Sequence, residues 1–118
     1  MKIVIGGQMG KEEIKELAEG IVGDKGLVVI EDDIAAAMEI KQGTAELYLG
    51  ACMTGGGGAL AMAIAILGYP ACQALTSDDE NVIAEAAGRG IRVFGFTPAM
   101  SKAVVPLIIK HVLTERQE

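Results

Sequence analysis

The chain alternates short apolar runs with segments in which apolar residues recur at helical spacing, and this alternation repeats five times. The apolar runs are typical of buried strands and cover residues 2–6, 27–30, 46–49, 72–75 and 91–96. Segments with helical patterns follow them, at residues 10–22, 32–42, 59–67, 77–88 and 97–113. Because each crossover returns the next strand in the same direction, five such units predict a parallel sheet. We expect a three-layer α/β/α, Rossmann-like domain with a five-stranded parallel sheet.

Residues that suit helix ends mark several of these boundaries. Asp32 or Asp33 is predicted to cap the start of the second helix, and Gly43 to occupy its C′ position. The predicted start residues of the last two helices are Ser77 or Asp78, and Thr97 followed by Pro98. Pro106 lies inside the last helix and predicts a kink or a restart there.

Length and charge narrow the possible functions. A chain of 118 residues has the size of one ordinary domain, so we expect residues 1–118 to form a single α/β domain. The formal net charge is −6, and lysine and arginine residues are scattered singly along the chain. No stripe of positive charge is available to follow a phosphate backbone, so we expect no nucleic-acid partner.

The apolar segments are too short for membrane insertion. The longest of them, residues 59–75, is interrupted by Gly68 and Pro70, and it falls short of the roughly 20 residues that a spanning helix needs. The N-terminal apolar run is also shorter than the core of a secretory signal. These features predict a cytoplasmic protein, in which Cys52 and Cys72 remain separate thiols rather than a disulfide.

The loop after the third predicted strand is the strongest candidate site. The sequence there continues as Cys52, Met53 and Thr54 and then four consecutive glycines, Gly55, Gly56, Gly57 and Gly58. A strand that enters a glycine loop and then a helix exposes backbone N–H groups where the helix dipole adds partial positive charge. Such a helix start binds anions. We therefore predict that Thr54 and the glycines bind a small anionic metabolite, phosphorylated or carboxylated.

The end of the first strand is expected to lie at the same edge of the sheet. In doubly wound sheets, ligands bind in the crevice outside the carboxyl ends of the strands. Gly7 and Gln8 follow the first strand, and we predict that they join the ligand-binding set.

The third predicted helix has no polar face. Every residue from Ala59 to Leu67 is apolar, so both sides of this helix need a cover. A domain of this size has few elements with which to supply a second cover. We therefore predict a homo-oligomer, with a dimer as the default assembly.

Almost the whole chain resembles the YhfU-type bacterial proteins, a domain family of unknown function. The likeness runs through Asp33 to Met38, Gly50-Ala51-Cys52, Thr54-Gly55 and Gly68-Tyr69. This resemblance implies no activity.

A more distant likeness is to the type B ribose phosphate isomerases. It covers Met1 to Gly6 and the segment from about Ala35 to Gly95, and the Cys-x-Thr-Gly-x-Gly pattern of that family falls on Cys52, Thr54, Gly55 and Gly57. The resemblance implies that Cys52 is a catalytic base and that Thr54, Gly55 and Gly57 cradle an oxyanion.

The chain departs from the isomerase pattern at two places. It has Gln8-Met9 where the isomerases have an Asp-His pair, and Thr76-Ser77-Asp78 where they have a histidine. The residues that open the sugar ring and anchor the phosphate in those enzymes therefore have no counterparts here.

Two function classes stay open from the sequence. One is an enzyme in which Cys52 moves a proton between carbon atoms, and the other is a binding module that uses the same glycine loop. A cysteine at a strand end is also typical of a small buried core residue. The acidic groups at residues 31–33 and 78–80 are explained as helix caps. We predict no metal site and no cofactor.

Overall fold

A five-stranded, all-parallel sheet forms the centre of the fold. The structure is a computed structural model that describes residues 1–54 and 57–116. The strands are β1 (Lys2–Gly7), β2 (Leu27–Ile30), β3 (Leu47–Ala51), β4 (Cys72–Ala74) and β5 (Val93–Phe96). Their order across the sheet is β2-β1-β3-β5-β4, and every neighbouring pair is parallel. The predicted α/β architecture with a five-stranded parallel sheet is confirmed.

Helices cover both faces of this sheet. They are α1 (Lys11–Val22), α2 (Asp33–Gln42), α3 (Gly57–Leu67), α4 (Glu80–Gly88) and α5 (Ser101–Arg116). One core contains the buried residues of α1, α4 and α5, and the other contains those of α2 and α3. Successive strand residues alternate between the two cores, because side chains along a strand point to opposite faces: Leu47 and Leu49 belong to the first core and Tyr48 to the second.

The strand order creates a switch point between β1 and β3. The chain leaves β1 toward β2 on one side of the sheet, whereas it leaves β3 toward β4 on the other side. The two connections therefore separate above the carboxyl ends of β1 and β3, which is where doubly wound sheets form their ligand crevice. The loops that carry Gln8 and Cys52 flank this point.

The sequence placed several element boundaries correctly. Asp32 caps α2 by accepting the N–H of Ala35 at 2.8 Å, and Gly43 follows the helix in the left-handed conformation with φ 78°. The predicted cap of α4, Ser77 or Asp78, was wrong by one or two residues. The helix is capped by Asp79, which accepts the N–H of Asn81 at 2.9 Å.

The last helix is preceded by a short 3₁₀ turn, Pro98–Met100. Thr97 occupies the N-cap position of this turn with Pro98 directly after it, as predicted, but the Thr97 side chain makes no capping hydrogen bond. The helix runs without a break through Pro106 to Arg116. A proline removes one internal hydrogen bond, and here the flanking turns keep the helix continuous.

One side of α3 remains uncovered within the single chain. Ala59, Leu60 and Ala63 are buried against the sheet and α2, whereas the opposite side exposes three apolar residues. We name this side the α3 outer strip, and its residues are Ala61, Met62 and Ala65. Two further exposed apolar side chains lie at its ends, Met53 before the helix and Tyr69 after it. None of the described helices has the length and hydropathy to cross a membrane.

Candidate functional site

The candidate site is built where the loops after β1 and β3 meet. The N–H groups of Gln8 and Met9 both donate to the carbonyl of Ala51, at 2.9 and 3.3 Å. The first loop is thereby attached to the last residue of β3. At the other side, the N–H of Cys52 donates to the carbonyl of Phe96 at 3.1 Å. The start of the β3–α3 loop is thus fixed between β1 and β5.

Cys52 and Thr54 form the described part of the β3–α3 loop together with Met53. The sulfur of Cys52 lies 2.8 Å from the hydroxyl oxygen of Thr54. The N–H of Ala59, in the first turn of α3, donates to the same sulfur at 3.2 Å. The Thr54 oxygen in turn accepts the N–H of Gly58 at 3.0 Å. The thiol and the hydroxyl therefore occupy two of the N–H groups that a helix start leaves without internal partners.

The Cys52 sulfur has polar neighbours in the loop and in the helix. Between this sulfur and the Thr54 hydroxyl, either atom could be the donor. The N–H of Ala59 donates to the sulfur from the start of α3, where the helix dipole adds partial positive charge. Cys52 is only 1 % exposed, so its sulfur is closed off from solvent.

Gly58 is the point at which the polar groups of both loops converge. A Cβ atom at this residue would lie 3.1 Å from the Thr54 oxygen, 3.2 Å from the Cys52 sulfur and 3.5 Å from Gln8 Nε2. The two shorter distances are below ordinary van der Waals contact, so a hydroxyl, a thiol and a carboxamide close in on Gly58 and leave little room for a side chain. Within the described part of the chain, the Gln8 carboxamide has no hydrogen-bond partner, so it is available to a ligand.

Gly7 has a structural role that is independent of any ligand. Its N–H donates to Asp33 Oδ1 at 2.6 Å, and its φ of 86° is one that favours glycine. A Cβ atom there would lie 2.5 Å from the backbone nitrogen of Ala51. Of the other predicted ligand-binding residues, Gly57 begins α3, and Gly55 and Gly56 lie outside the described residues.

The half-buried Asp33 and the buried Tyr48 form a hydrogen-bonded pair next to the site, and the sequence did not indicate this pair. The Tyr48 hydroxyl donates to Asp33 Oδ1 at 2.8 Å, and it lies 3.3 Å from the carbonyl of Ala59. The same Asp33 oxygen accepts the N–H of Gly7. Burial and the neighbouring Asp33 carboxylate raise the pKa of Tyr48 well above its ordinary value. A tyrosine in a fully apolar strand was the available signal, because a buried hydroxyl needs a partner.

A row of glycines crosses the three central strands beneath α3. Gly6 pairs with Gly50 in the register of β1 and β3, and Gly50 pairs with Gly95 in the register of β3 and β5. A Cβ atom at Gly6 would lie 2.6 Å from Asp33 Oδ1 and 2.7 Å from the Tyr48 hydroxyl. The row therefore provides the space that the Asp33–Tyr48 pair fills. Only the strand register reveals it, and the sequence does not supply that register.

The remaining candidates have structural explanations. Asp32 and Asp79 are helix caps. Cys72 begins β4, at the opposite end of the sheet from Cys52, and burial raises the pKa of its thiol. Among the described residues, no three His, Cys, Asp or Glu side chains are grouped as metal ligands would be.

Comparison with known proteins assigns the chain to a family. Residues 1–112 match the family model described as protein of unknown function DUF2620. The chain belongs to the DUF2620 family. This family assignment agrees with the YhfU resemblance seen in the sequence, and its description names no activity.

The relatives of this DUF2620 chain are similarly uncharacterized. The uncharacterized protein YhfU of Escherichia coli K12 is 34 % identical over 116 residues, which cover 94 % of this chain and 97 % of the relative. The YhfU proteins of Escherichia coli O6:H1 and of Shigella flexneri match equally well. No solved structure matches this chain.

Proposed function

We propose that this DUF2620 protein binds a small anionic metabolite, carboxylated or phosphorylated, at the switch point between β1 and β3. The observation that carries the proposal is the convergence of Gln8, Cys52 and Thr54 around Gly58. Two of these groups come from the loop after β3 and the third from the loop after β1, so a ligand there would contact both sides of the crevice.

The chemistry of these groups suits an oxygen that carries negative charge. Without a ligand, the Thr54 hydroxyl accepts the Gly58 N–H, and the Cys52 sulfur accepts the Ala59 N–H. A ligand oxygen near Gly58 would replace the Thr54 hydroxyl as the acceptor of the Gly58 N–H. It would also accept a hydrogen bond from the Gln8 carboxamide. Neutral donors of this kind, with the dipole of α3 behind them, recognise a carboxylate or one edge of a phosphate.

A thermal-shift experiment with a matched pair of variants tests this proposal. The panel consists of inorganic phosphate, sugar phosphates and small carboxylates, and a ligand at 100 times its dissociation constant adds about 2.7 kcal/mol of apparent stability. Gly58→Ala should remove the shift, because its Cβ would crowd the three polar groups and displace them from their present positions. Gly88→Ala is the control, since a Cβ in that helix meets no atom within 4 Å.

Two results would contradict binding at Gly58. One is that none of the panel raises the melting temperature of the native protein. The other is that Gly58→Ala remains folded and shows the same shift as Gly88→Ala.

A second candidate function is sugar-phosphate isomerisation with Cys52 as the base. It is favoured by the contacts of the Cys52 sulfur with the Ala59 N–H and the Thr54 hydroxyl, because these stabilise the thiolate that would accept a proton from carbon. Its signature is exchange of carbon-bound hydrogen of the ligand into deuterated water. Cys52→Ala should abolish this exchange while binding remains, and Cys72→Ala should leave it unchanged. Tight binding without exchange in the native protein would leave only the binding function.

We also propose that the protein self-associates through the α3 outer strip. The support is that Ala61, Met62 and Ala65 are exposed in the single chain although the helix contains no polar residue. Helix α3 also begins with the residues of the candidate site, so a partner on this strip would lie close to it.

A further inference from the structure

A cavity opens at the amino end of the sheet, on the edge opposite Cys52. Its volume is about 270 Å³. The ends of α2 and α3 contribute Ile40 and Leu67, the turn before β4 contributes Pro70, and Val93 at the start of β5 forms part of the wall. We name this space the amino-edge cavity. Ligand pockets for drug-sized molecules occupy about 300–1,000 Å³, so this one suits a smaller molecule.

Two arginines, Arg89 and Arg92, also line the amino-edge cavity. The whole chain contains only three arginines and has a net charge of −6, so two arginines that line one cavity are an exception to the acidic character of the chain. Arg89 lies at the end of α4, and Arg92 lies two residues after the glycine that follows it. The turn between α4 and β5 fixes both residues at the rim.

Arg92 is the stronger candidate for holding an anion, because none of the described carboxylates forms an ion pair with it. Its Nη1 donates to the carbonyls of Ala87 and Ile91, at 3.1 and 2.8 Å. These carbonyls hold the side chain in place, and the end of α4 offsets about half a charge. Nε and Nη2 have no protein acceptor in the described structure, so they are available to a ligand.

Arg89 differs from Arg92 in its partners. It forms an ion pair with Glu85, and its Nη2 lies 3.3 Å from Gln73 Oε1. About half of the Arg89 side chain is exposed, so this ion pair is weak. Arg89 can therefore turn toward a bound anion, whereas Arg92 is already held at the cavity.

We propose that the amino-edge cavity binds a small carboxylate with a compact apolar body. The carboxylate would be held by the unbonded guanidinium nitrogens of Arg92, with Arg89 as a second cation, and the apolar body would contact Ile40, Leu67 and Pro70. A planar guanidinium recognises a carboxylate through two parallel hydrogen bonds. This site is separate from the one proposed at Gly58, and neither depends on the other.

Nuclear magnetic resonance titration of the full chain tests the proposal with three defined probes. Benzoate and isovalerate supply a carboxylate on an apolar body, and benzamide is the neutral counterpart of benzoate. We expect both carboxylates to shift the amide signals of Ala71, Gly90 and Val93 saturably. Benzamide should bind at least about tenfold more weakly, as expected for the loss of a charge-assisted hydrogen bond.

Variants separate this site from the first one. Arg92→Gln should weaken benzoate binding about tenfold and leave benzamide unchanged. Ala71→Phe, which places a ring in the cavity and leaves the α4 cap intact, should abolish binding of all three probes. Gly58→Ala should retain the benzoate shifts at Gly90 and Val93, so the two proposals fail independently.

Three results would overturn the proposal. The first is the absence of saturable shifts at Ala71, Gly90 and Val93 with either carboxylate. The second is equal affinity for benzamide and benzoate. The third is undiminished benzoate binding in folded Ala71→Phe protein.

Discussion

At the scale of single residues, Asp33 is the side chain that connects the loops of the candidate site. One oxygen, Oδ1, accepts both the Gly7 N–H and the Tyr48 hydroxyl, and the same hydroxyl lies near the carbonyl of Ala59 in α3. The end of β1 and the starts of α2 and α3 are thereby held together by a few hydrogen-bonding atoms. A change in this network is expected to alter both stability and the geometry around Gly58.

Tyr48→Phe tests how much the network contributes to stability. The change leaves the ring in place but removes the hydroxyl that donates to Asp33. We expect the free energy of unfolding to fall by about 2 kcal/mol, within the range for a hydrogen bond to a charged group. Chemical denaturation measures this, with Tyr69→Phe as the control because that tyrosine is 76 % exposed. Equal stabilities of the two variants would contradict the role of the pair.

The native protein and Tyr48→Phe should also differ in how their stability responds to alkaline pH. The pKa of Tyr48 is raised in the folded protein, so above about pH 10 the unfolded chain loses this proton first and becomes favoured. The stability advantage of the native protein over Tyr48→Phe should be constant at neutral pH. It should narrow by about 1.4 kcal/mol per pH unit above about pH 10. An advantage that stays constant to pH 11 would contradict a buried, protonated Tyr48.

The sequence predicted some of these residues and not others for a physical reason. Cys52 and Thr54 are close in the chain and share one loop, so their contact follows from a local motif. Asp33 and Gly7 are 26 residues apart and meet only because β1 and β2 are neighbours in the sheet. The sequence predicted that Asp32 or Asp33 caps α2. The structure gives that role to Asp32, whereas Asp33 accepts the Gly7 N–H and the Tyr48 hydroxyl.

At the scale of elements, the strand and helix pattern was predictable because hydrophobic period and capping residues act locally. The predicted range of β2 matches the structure, and that of α2 matches apart from its capping residue, Asp32. The exposed faces were less predictable. In α2 the large apolar residue Ile34 is 53 % exposed, whereas the small residues Ala36 and Ala37 are buried. Small residues pack this helix close to the sheet, and a hydrophobicity pattern does not distinguish an alanine contact from a neutral surface.

The capping residue of α4 could not be chosen from local residue types alone. Ser77, Asp78 and Asp79 are all suitable N-cap types. Asp79 has the extended backbone and accepts the N–H of Asn81, whereas the Ser77 hydroxyl accepts the N–H of Asp79. The length of the loop from β4 decides between these residues, and that length depends on the packing of the whole helix.

At the scale of the molecule, the strand order could not be predicted from the sequence. The parallel direction of the strands follows from the alternation of strands and helices. The position of β5 between β3 and β4 depends instead on long-range packing. This order is what places the loops with Gln8 and Cys52 beside the switch point. It also covers the second face of the sheet with only two helices, α2 and α3, which leaves the α3 outer strip without a cover.

The last prediction is that two copies of the chain associate through the α3 outer strip. The strip presents Ala61, Met62 and Ala65, and small residues four apart allow two helices to approach closely. Two more exposed apolar side chains, Met53 and Tyr69, come before and after α3 in the chain, and they are 75 % and 76 % exposed. A twofold axis through this strip would bury it against itself, as is usual for the commonest homo-oligomers. Sedimentation velocity at micromolar concentration should therefore show a dimer.

A pair of lysine variants tests whether the α3 outer strip, and not another exposed apolar residue, forms the interface. Met62→Lys places a charge in the centre of the strip and should give a monomer, because an unpaired charge is not buried without a large cost. Val82→Lys makes the same change on α4, on the other face of the sheet, where the side chain is 44 % exposed compared with 40 % for Met62. That variant should remain a dimer. A native protein that sediments as a monomer would refute the association, and a dimer that survives Met62→Lys would place the interface elsewhere, since the lysine lies where the two helices would meet.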